Sequence, residues 1–494
     1  MNPRPLQALY TVAQVRRIDH AAIEGAGIPG VELMRRAAGA AFASLRRRWP
    51  SARRIVVLAG NGNNGGDAML LGALARARGL EVDAVAVAGT PRDDAEYARI
   101  HALAAGVRVH ESSGGALPVG DVIVDGLIGT GLCDPPKPGI AQLIDTVNAS
   151  GVPVLSLDVP SGLDADRGVA PASCIEATAT VSFVAWKRGL FTGDAFDVRG
   201  ELELASLDVP EACFDGILPD AACLDSTIVD LLPPRRGNTD KSRHGHVLVI
   251  AGDLGMGGAA RLCAEAALRT GAGLVTVATR EAHVAPLLAA RPELMVYGVE
   301  EAAALAPLLA RADIVAIGTG LGSSPWGQAL WREALDNGKP AVIDADALNL
   351  LAHAPRSIPG HSILTPHPGE MGRLLGSDSR TVQRDRFAAV RRLAADAGAI
   401  AVLKGAGTLV ADPAGRLAVC PWGNPGMASP GMGDVLTGVV AALRAQGLAP
   451  WDAACLGVGL HAQAGDLAAG RVPRGLLASD LFTALRERVN DYGR

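Results

Sequence analysis

Aromatic side chains are scarce in this sequence, 3% of its residues, and no run of apolar residues is long and uninterrupted. A membrane-spanning helix needs about 18 such residues in a row, so a spanning segment is not expected. No basic tract exceeds Arg46-Arg47-Arg48, and the net charge is −5. The chain therefore lacks the electrostatic footprint of a nucleic-acid binder. Its seven cysteines, at 133, 174, 213, 223, 263, 420 and 455, are odd in number and never spaced as CxxC. That argues against structural zinc and a disulfide framework, and for a reduced, cytoplasmic setting. The opening MNPRPLQALYTVAQVRRIDH breaks its apolar pattern with Gln, Arg and Asp, unlike a secretory signal.

What is abundant is glycine, 60 residues, in a chain that is 49% hydrophobic and 20% charged over 494 residues. That length implies two or three domains with sizeable cores. The small residues imply closely packed layers of helix and sheet. In the first half, strand signals at Ile55–Gly60, Val82–Ala88, Val107–His110, Val122–Gly126, Val152–Val159, Ala179–Val184 and Glu201–Ser206 alternate with helix signals at Asp67–Arg78, Asp93–Ala105 and Ile140–Ala149. An N-terminal helical part, Thr11–Arg48, precedes them. Alternating elements with apolar strands predict a parallel sheet covered on both faces. The pattern breaks near residue 230, where LLPPRRGNTD reads as a linker or its edge.

A second α/β series follows. Strands are expected at His246–Ala251, Leu274–Thr279, Ile314–Gly318, Ala341–Asp344, Ser362–Leu364 and Ile400–Lys404. Gly407–Val410 and Arg416–Cys420 read as strands joined by the turn Asp412–Gly415. Helices are expected at Ala259–Thr270, Asp434–Gln446 and Trp451–Gly470, and Arg380–Ala397 reads as a solvated face. The fold class is thus α/β in two domains, 1–222 and 223–494. The first would be a Rossmann-like doubly wound sheet.

Each half holds a glycine-rich cradle. Glycine lets backbone N–H groups close on a phosphate, and a following helix adds its positive end. The first cradle, GNGNNGGD at Gly60–Asp67, contains GxGxxG. A dinucleotide-binding Rossmann site also needs an acid at the end of the second strand. Here that strand ends Ala86-Val87-Ala88-Gly89-Thr90, so an ordinary dehydrogenase is disfavoured. The paired asparagines and Asp67 suit a hard cation or a sugar phosphate instead. Asp125 and Asp158 follow two further strands. Each could cap a turn, but three polar loops at one sheet edge point to a site.

NNGGD, VDGLIGTGL and LDVPSGLDAD, in this order, together with VSFVAWKRGLFTGDAFDVRG at 181–200, resemble the YjeF N-terminal family of NAD(P)H-hydrate epimerases over most of residues 10–210. The resemblance implies a potassium ion on Asn64, Asp125 and Ser161. It implies nucleotide contacts from Asn63, Asn64, Gly65, Gly66 and Asp67, and from Gly129, Thr130, Gly131, Leu132, Cys133, Asp134 and Pro135. Asp158 would serve as acid/base at the reacting carbon. The hydrate carries a hydroxyl on C6 in R or S configuration, and exchange of the two through loss and return of that hydroxyl needs a proton-shuttling carboxylate. Ala68 departs from the family, which often has glycine there.

The second cradle is GMASPGMGDVLTG at Gly426–Gly438. Neither a Walker A pattern nor a kinase HRD triplet occurs. Asp434 stands at the helix start, either as a plain N-cap or as a base beside a bound phosphate. Three other segments fall at strand ends: DADALN at 344–349, TPHPGE at 365–370 and KGAGT at 404–408. With the run from Gly245 to Thr279 and GNPGMASPGMGDVLTG, they resemble the ribokinase-like superfamily, and within it the ADP-dependent NAD(P)H-hydrate dehydratases, over about 235–490. The resemblance implies ADP held by Lys404, Gly405, Ala406, Gly407, Thr408 and Gly433. The hydrate would meet Ala259, Gly320, His367 and Asp434. Asp434 would deprotonate the C6 hydroxyl, which attacks the β-phosphate of ADP. Elimination of phosphate then restores the nicotinamide and leaves AMP, with Mg²⁺ expected. Pro425, Pro430 and Thr319 depart from the family pattern.

The expected protein is therefore a bifunctional metabolite-repair enzyme, isomerase and lyase in one chain. Its partners would be NAD(P)H hydrates and ADP, with K⁺ and Mg²⁺ as cofactors. A cytoplasmic homo-oligomer without nucleic-acid or membrane partners is expected. Two rivals remain at this level: a small-molecule kinase with an accessory domain, and an enzyme whose N-terminal half is only a binding module.

Overall fold

The computed structural model describes residues 6–91, 94–112, 117–132 and 134–491. The chain divides into two compact units, one spanning Ala8–Ala221 and one starting at Ala222. No helix among the described residues is long and apolar enough to cross a membrane.

The first unit is built on a fully parallel sheet. Across it run Arg108–Glu111, Glu81–Ala86, Arg54–Ala59, Val122–Gly126, Val154–Leu157, Ala179–Phe183 and Glu201–Ala205. The central strands are buried on both faces, which is why they read as apolar runs rather than alternations. From Arg54–Ala59 the chain first adds strands on one side, then returns to add Val122–Gly126 on the other. That reversal opens a crevice at the strand ends, where ligands bind in doubly wound sheets.

The expected helix Asp67–Arg78 begins earlier, as Asn63–Ala77, so the paired asparagines lie in its first turn. Gly65 allows it: a Cβ there would lie 2.7 Å from the carbonyl carbon of Gly60. The helical part near the N-terminus is two helices, Val12–His20 and Gly30–Arg48, joined through a π-turn at Ala21–Gly25. The helix expected at Asp93–Ala105 is Asp94–Ala104, and Asp93 itself lies outside the described residues. A short parallel pair, Leu9 with Trp186 and Tyr10 with Lys187, has no counterpart in the sequence reading. Ala68 is fully buried, and its methyl faces Gly126, where an added Cβ would sit 2.5 Å away. The methyl is accommodated because residue 126 has none.

The second unit runs Met295–Gly298, Leu274–Thr279, His246–Ile250, Ile314–Ile317, Ala341–Ile343, Ile363–Leu364 and Ile400–Leu403 in parallel. The antiparallel strands Leu409–Ala411 and Leu417–Val419 follow, and Ala222 and Cys223 pair with Ala418 and Val419. Its core joins the sheet to helices Gly257–Thr270, Met432–Ala445 and Pro450–Ala469. Gly438 lets two of these helices touch, since a Cβ there would come 2.9 Å from the Cys263 carbonyl carbon. The linker region is more packed than its polarity suggests. Ile228, Val229 and Leu232 are buried in this core, and only 233–243 is uniformly exposed.

The solvated face expected at Arg380–Ala397 holds for Arg380, Arg384 and Arg392, which are exposed, and is corrected at Arg386. The segment is two helices, Ser379–Arg384 and Arg386–Ala397, each capped by an aspartate, Asp378 and Asp385. Arg386 is 1% exposed. It donates to the carbonyls of Leu403 and Lys404 and to Gln383 Oε1. Arginine periodicity cannot distinguish a solvated charge from one drawn inward by carbonyls at a strand end.

Candidate active sites

In the first unit a cavity of about 470 Å³ opens at the crevice. Asn63, Asn64, Gly65, Asp67, Gly129, Thr130, Gly131 and Asp158 line it. Leu132, Asp134 and Pro135 line a neighbouring cavity of about 600 Å³ with Gly60, Asn61, Val87 and Ala88. Gly66 faces neither: a Cβ there would lie 2.7 Å from Met34 Sδ. Cys133 lies outside the described residues.

Asp158 stands just after its strand with φ 65°, a conformation that costs a non-glycine residue energy. Its N–H donates to the Val181 carbonyl at 2.7 Å. Its carboxylate accepts from the Phe183 N–H at 3.1 Å and pairs with Lys187 Nζ. Lys187 is 1% exposed and also donates to the Phe183 carbonyl at 2.7 Å. Asp19 and Asp67 join this acid–base group. Burial, then the carboxylate of Asp158, push Asp67 well above the ordinary carboxylate range. The sequence reading missed Lys187 and Asp19. Lys187 was visible only as a charge inside the apolar run VSFVAWKRGL.

Behind the cavity, Asp125 is completely buried. It accepts from Ser161 Oγ at 2.5 Å, Ser161 N–H at 2.9 Å, Ser156 Oγ at 2.8 Å and Leu127 N–H at 3.2 Å. Burial raises its pKa and these donors oppose that rise. Both polar atoms of the Asn64 side chain are buried without a hydrogen-bond partner. An unsatisfied buried amide is costly.

In the second unit, helix Met432–Ala445 is capped by Gly431 in a left-handed conformation, φ 87°. Asp434 is the third helical residue, so the plain N-cap reading does not hold. Burial first, then the charges of Asp344 and Asp346, lift its pKa from 3.8 to about 7, against the pull of Lys404. Lys404 binds Asp344 at 2.6 Å and lies 3.8 Å from Glu370. Burial pulls its pKa down, but the surrounding acids outweigh that and raise it. Asp344 also accepts from Thr437 Oγ1 at 2.7 Å, which ties the strand-end carboxylate to the anion-loop helix. A Cβ on Gly433 would lie 3.3 Å from Lys404 Nζ, so Gly433 and Lys404 do meet.

Of the remaining expected residues, the turn 404–408 and His367 adjoin this group, while Ala259 and Gly320 adjoin each other. The Lys404 N–H donates to the Pro366 carbonyl at 2.9 Å. Gly405 and Gly407 both have positive φ, and Thr408 Oγ1 donates to the Gly405 carbonyl at 2.9 Å, so Lys404–Thr408 is a tight turn. Gly320 approaches Ala259, with an added Cβ 3.0 Å from the Ala259 methyl. His367 is half-exposed and caps its helix: Nδ1 accepts the Gly369 N–H at 3.0 Å and Nε2 lies 3.3 Å from Glu370. Burial, then Lys404, lower its pKa. Pro425 occupies the first position of a short turn whose free N–H groups are served by Asn424, so it removes no needed donor there.

Comparison with known proteins bears on both units. The family described as "YjeF-related protein N-terminus" matches residues 30–189, and "NAD(P)H-hydrate dehydratase" matches 247–487. The bifunctional NAD(P)H-hydrate repair enzyme of Coxiella burnetii is 46% identical, over 98% of this chain and 100% of its own. That of Escherichia coli is 43% identical, over 99% and 96%. Among solved structures, a ribokinase-like superfamily protein of Enterococcus faecalis is 31% identical. It covers 54% of this chain and 94% of its own, with a TM-score of 0.51.

Proposed function

The chain belongs to the bifunctional NAD(P)H-hydrate repair enzymes, and from that premise we propose which groups carry its two reactions. It is an epimerase of R- and S-NAD(P)H hydrates and a dehydratase that returns the S form to NAD(P)H. The functional domains are 1–222 and 223–494. The enzyme is cytoplasmic and homo-oligomeric.

In the first domain the carboxylate of Asp158 stands at C6 of the hydrate, where positive charge develops as the hydroxyl leaves. The supporting observation is its pairing with buried Lys187 at the wall of the crevice cavity. Strain at φ 65° fixes the carboxylate in place. Loops 63–67 and 129–131 bind the nucleotide. A potassium ion fits Asn64, Asp125 and Ser161. Asn64 has two buried polar atoms without partners, and Asp125 has no basic partner among the described residues. When bound, the ion supplies that missing positive charge and ties the polar loops together.

In the second domain Asp434 is the base. A carboxyl lifted to about 7 is half-ionised near neutrality, the condition for an efficient general base. The helix start at Gly431–Gly433 and the turn Lys404–Thr408 hold ADP, and Lys404 offsets the charge that develops on the transferred phosphoryl group. The hydrate lies along Ala259, Gly320 and His367. The described residues contain no cluster of three metal-binding side chains, and Lys404 fills the space between Asp344 and Glu370. A magnesium ion would arrive on the nucleotide phosphates, and no step is derived through it.

The test is to incubate the purified protein with mixed R- and S-NADHX, ADP, Mg²⁺ and K⁺. Full regrowth of the reduced-nicotinamide absorbance, with AMP and phosphate formed, is expected. Recovery of only the S fraction would remove the epimerase, and an unchanged spectrum would remove both activities.

A further inference from the structure

Asp19 has no part in the reaction as described above, yet it lines the same cavity as Asp158 and Lys187. It sits in the last turn of helix Val12–His20, between fully buried Ile18 and the π-turn at Ala21–Gly25. The C-terminal end of a helix carries partial negative charge, so an ionised carboxylate there is disfavoured. π-turns recur at functional sites because they distort the ladder to aim a side chain. The helix is pinned at both ends. Thr11 and Gln14 form a capping box at its start, and the Val12 N–H donates to Asp166 at 2.7 Å. Arg16 reaches the Thr130 carbonyl at 3.3 Å, fixing the helix to the loop expected to bind the nucleotide.

The groups facing Asp19 are Arg16 from its own helix, Asp67 from helix Asn63–Ala77, Asp158 and Lys187. Lys187 is already committed to Asp158. A buried lysine with one paired carboxylate leaves the second carboxyl without a full counter-charge. Burial is the main cause lifting Asp19 to about 6, with Lys187 lowering it and Asp158 raising it. Asp19 and Asp158, two of the carboxyl groups lining this cavity, therefore have different environments, the arrangement that separates acid from base.

We propose that Asp19 is the proton donor of the epimerase site, and that Asp158, held by Lys187, is the fixed carboxylate that steadies the cation formed. The step balances. The proton of Asp19 passes to the C6 hydroxyl, the C6–O bond breaks, and water leaves. The lone pair of the ring nitrogen forms a C=N bond, giving an iminium beside the Asp158 carboxylate. Water then adds to C6 from the opposite face and releases its proton to solvent, from which Asp19 is reprotonated. No oxidant or other reactant is consumed.

This inference rests on the epimerase reading of the first domain, and the experiment separates the two. The full chain is given R-NADHX without ADP, so dehydration is silent, and the two epimers are separated by chromatography over time. Asp19→Asn is expected to lower kcat by about 100-fold, with KM within about threefold. Asp19→Glu, which keeps the carboxyl, is expected to recover most of that loss. The wild-type rate should fall as pH rises above about 6, because the protonated form is the active one; the residual rate of Asp19→Asn should not. Melting of the variants within a few degrees of wild type is the accompanying fold check. An Asp19→Asn enzyme with the wild-type rate and pH profile overturns the inference. So does a loss that Asp19→Glu does not restore and that comes with a raised KM or a lowered melting temperature. A wild-type chain that does not epimerise at all overturns the underlying reading instead.

Discussion

The two units each set an aspartate beside a lysine and further acids, Asp158 directly after a strand and Asp434 in the first turn of a helix, in opposite ways. In the first, Asp158 is fixed by Lys187, the Phe183 N–H and a left-handed backbone. In the second, Asp434 accepts no hydrogen bond from the described residues, and burial first, then two other acids, lift its pKa to about 7. The lysine of that site, Lys404, is committed to Asp344 and Glu370 rather than to Asp434. The difference teaches that burial and neighbouring acids, not the residue type, bring an aspartate near neutrality when the nearest lysine is committed elsewhere.

The sharpest way to break this comparison is to remove each carboxylate separately. Asp434→Asn is expected to lower the dehydration kcat by roughly 10²- to 10⁴-fold while epimerisation is unchanged, read from AMP formation and from the epimer ratio. Asp158→Asn should do the reverse, with a loss of similar size confined to epimerisation and S-hydrate dehydration retained. If either variant damages both reactions, the sites are not independent. A smaller effect comes from pH. With Asp434 as base, the dehydration rate should rise about tenfold per unit up to pH 7 and then level off.

Stability follows the opposite sign. The folded pKa of Asp434, about 7, lies above the ordinary 3.8. The favourable contribution of the carboxyl is therefore complete below 3.8 and lost as pH rises through 7. Asp434→Asn should consequently melt higher than wild type at pH 8, with the gain fading toward pH 4. The smallest expected change is Arg386→Met. It leaves the Leu403 and Lys404 carbonyls short of a donor and should cost about 2 kcal/mol in chemical denaturation. Because those carbonyls shape the turn proposed to hold ADP, the KM for ADP should also rise a few-fold, and epimerisation should not change.

Much of this was legible in the sequence because it depends on local pattern. Apolar strands such as Ile55–Ala59 and Val122–Gly126 announce a parallel sheet, and the loops at their ends announce the site edge. Gly431 before Asp434, and Asp344 after its strand, were visible as a cradle and a strand-end acid. The helix start at Asn63 was misplaced because two asparagines and two glycines read as loop. They become helical only where Gly65 must slip past Gly60. Arg386 was misread for a related cause. Its periodicity is that of a surface residue, and only the strand-end carbonyls it meets pull it inside.

The sequence by itself determined the two α/β halves, the order of their strands and the residues that could hold phosphate, since all of these rest on short-range periodicity and glycine's backbone freedom. Only the tertiary structure decided which charges meet. Lys187 and Asp158 are 29 residues apart, and Lys404 and Asp344 are 60 apart. Pairing across such distances is set by sheet register and burial, which no local pattern encodes, and burial, with the acids it gathers, is what lifts the pKa of Asp434 and of Asp19.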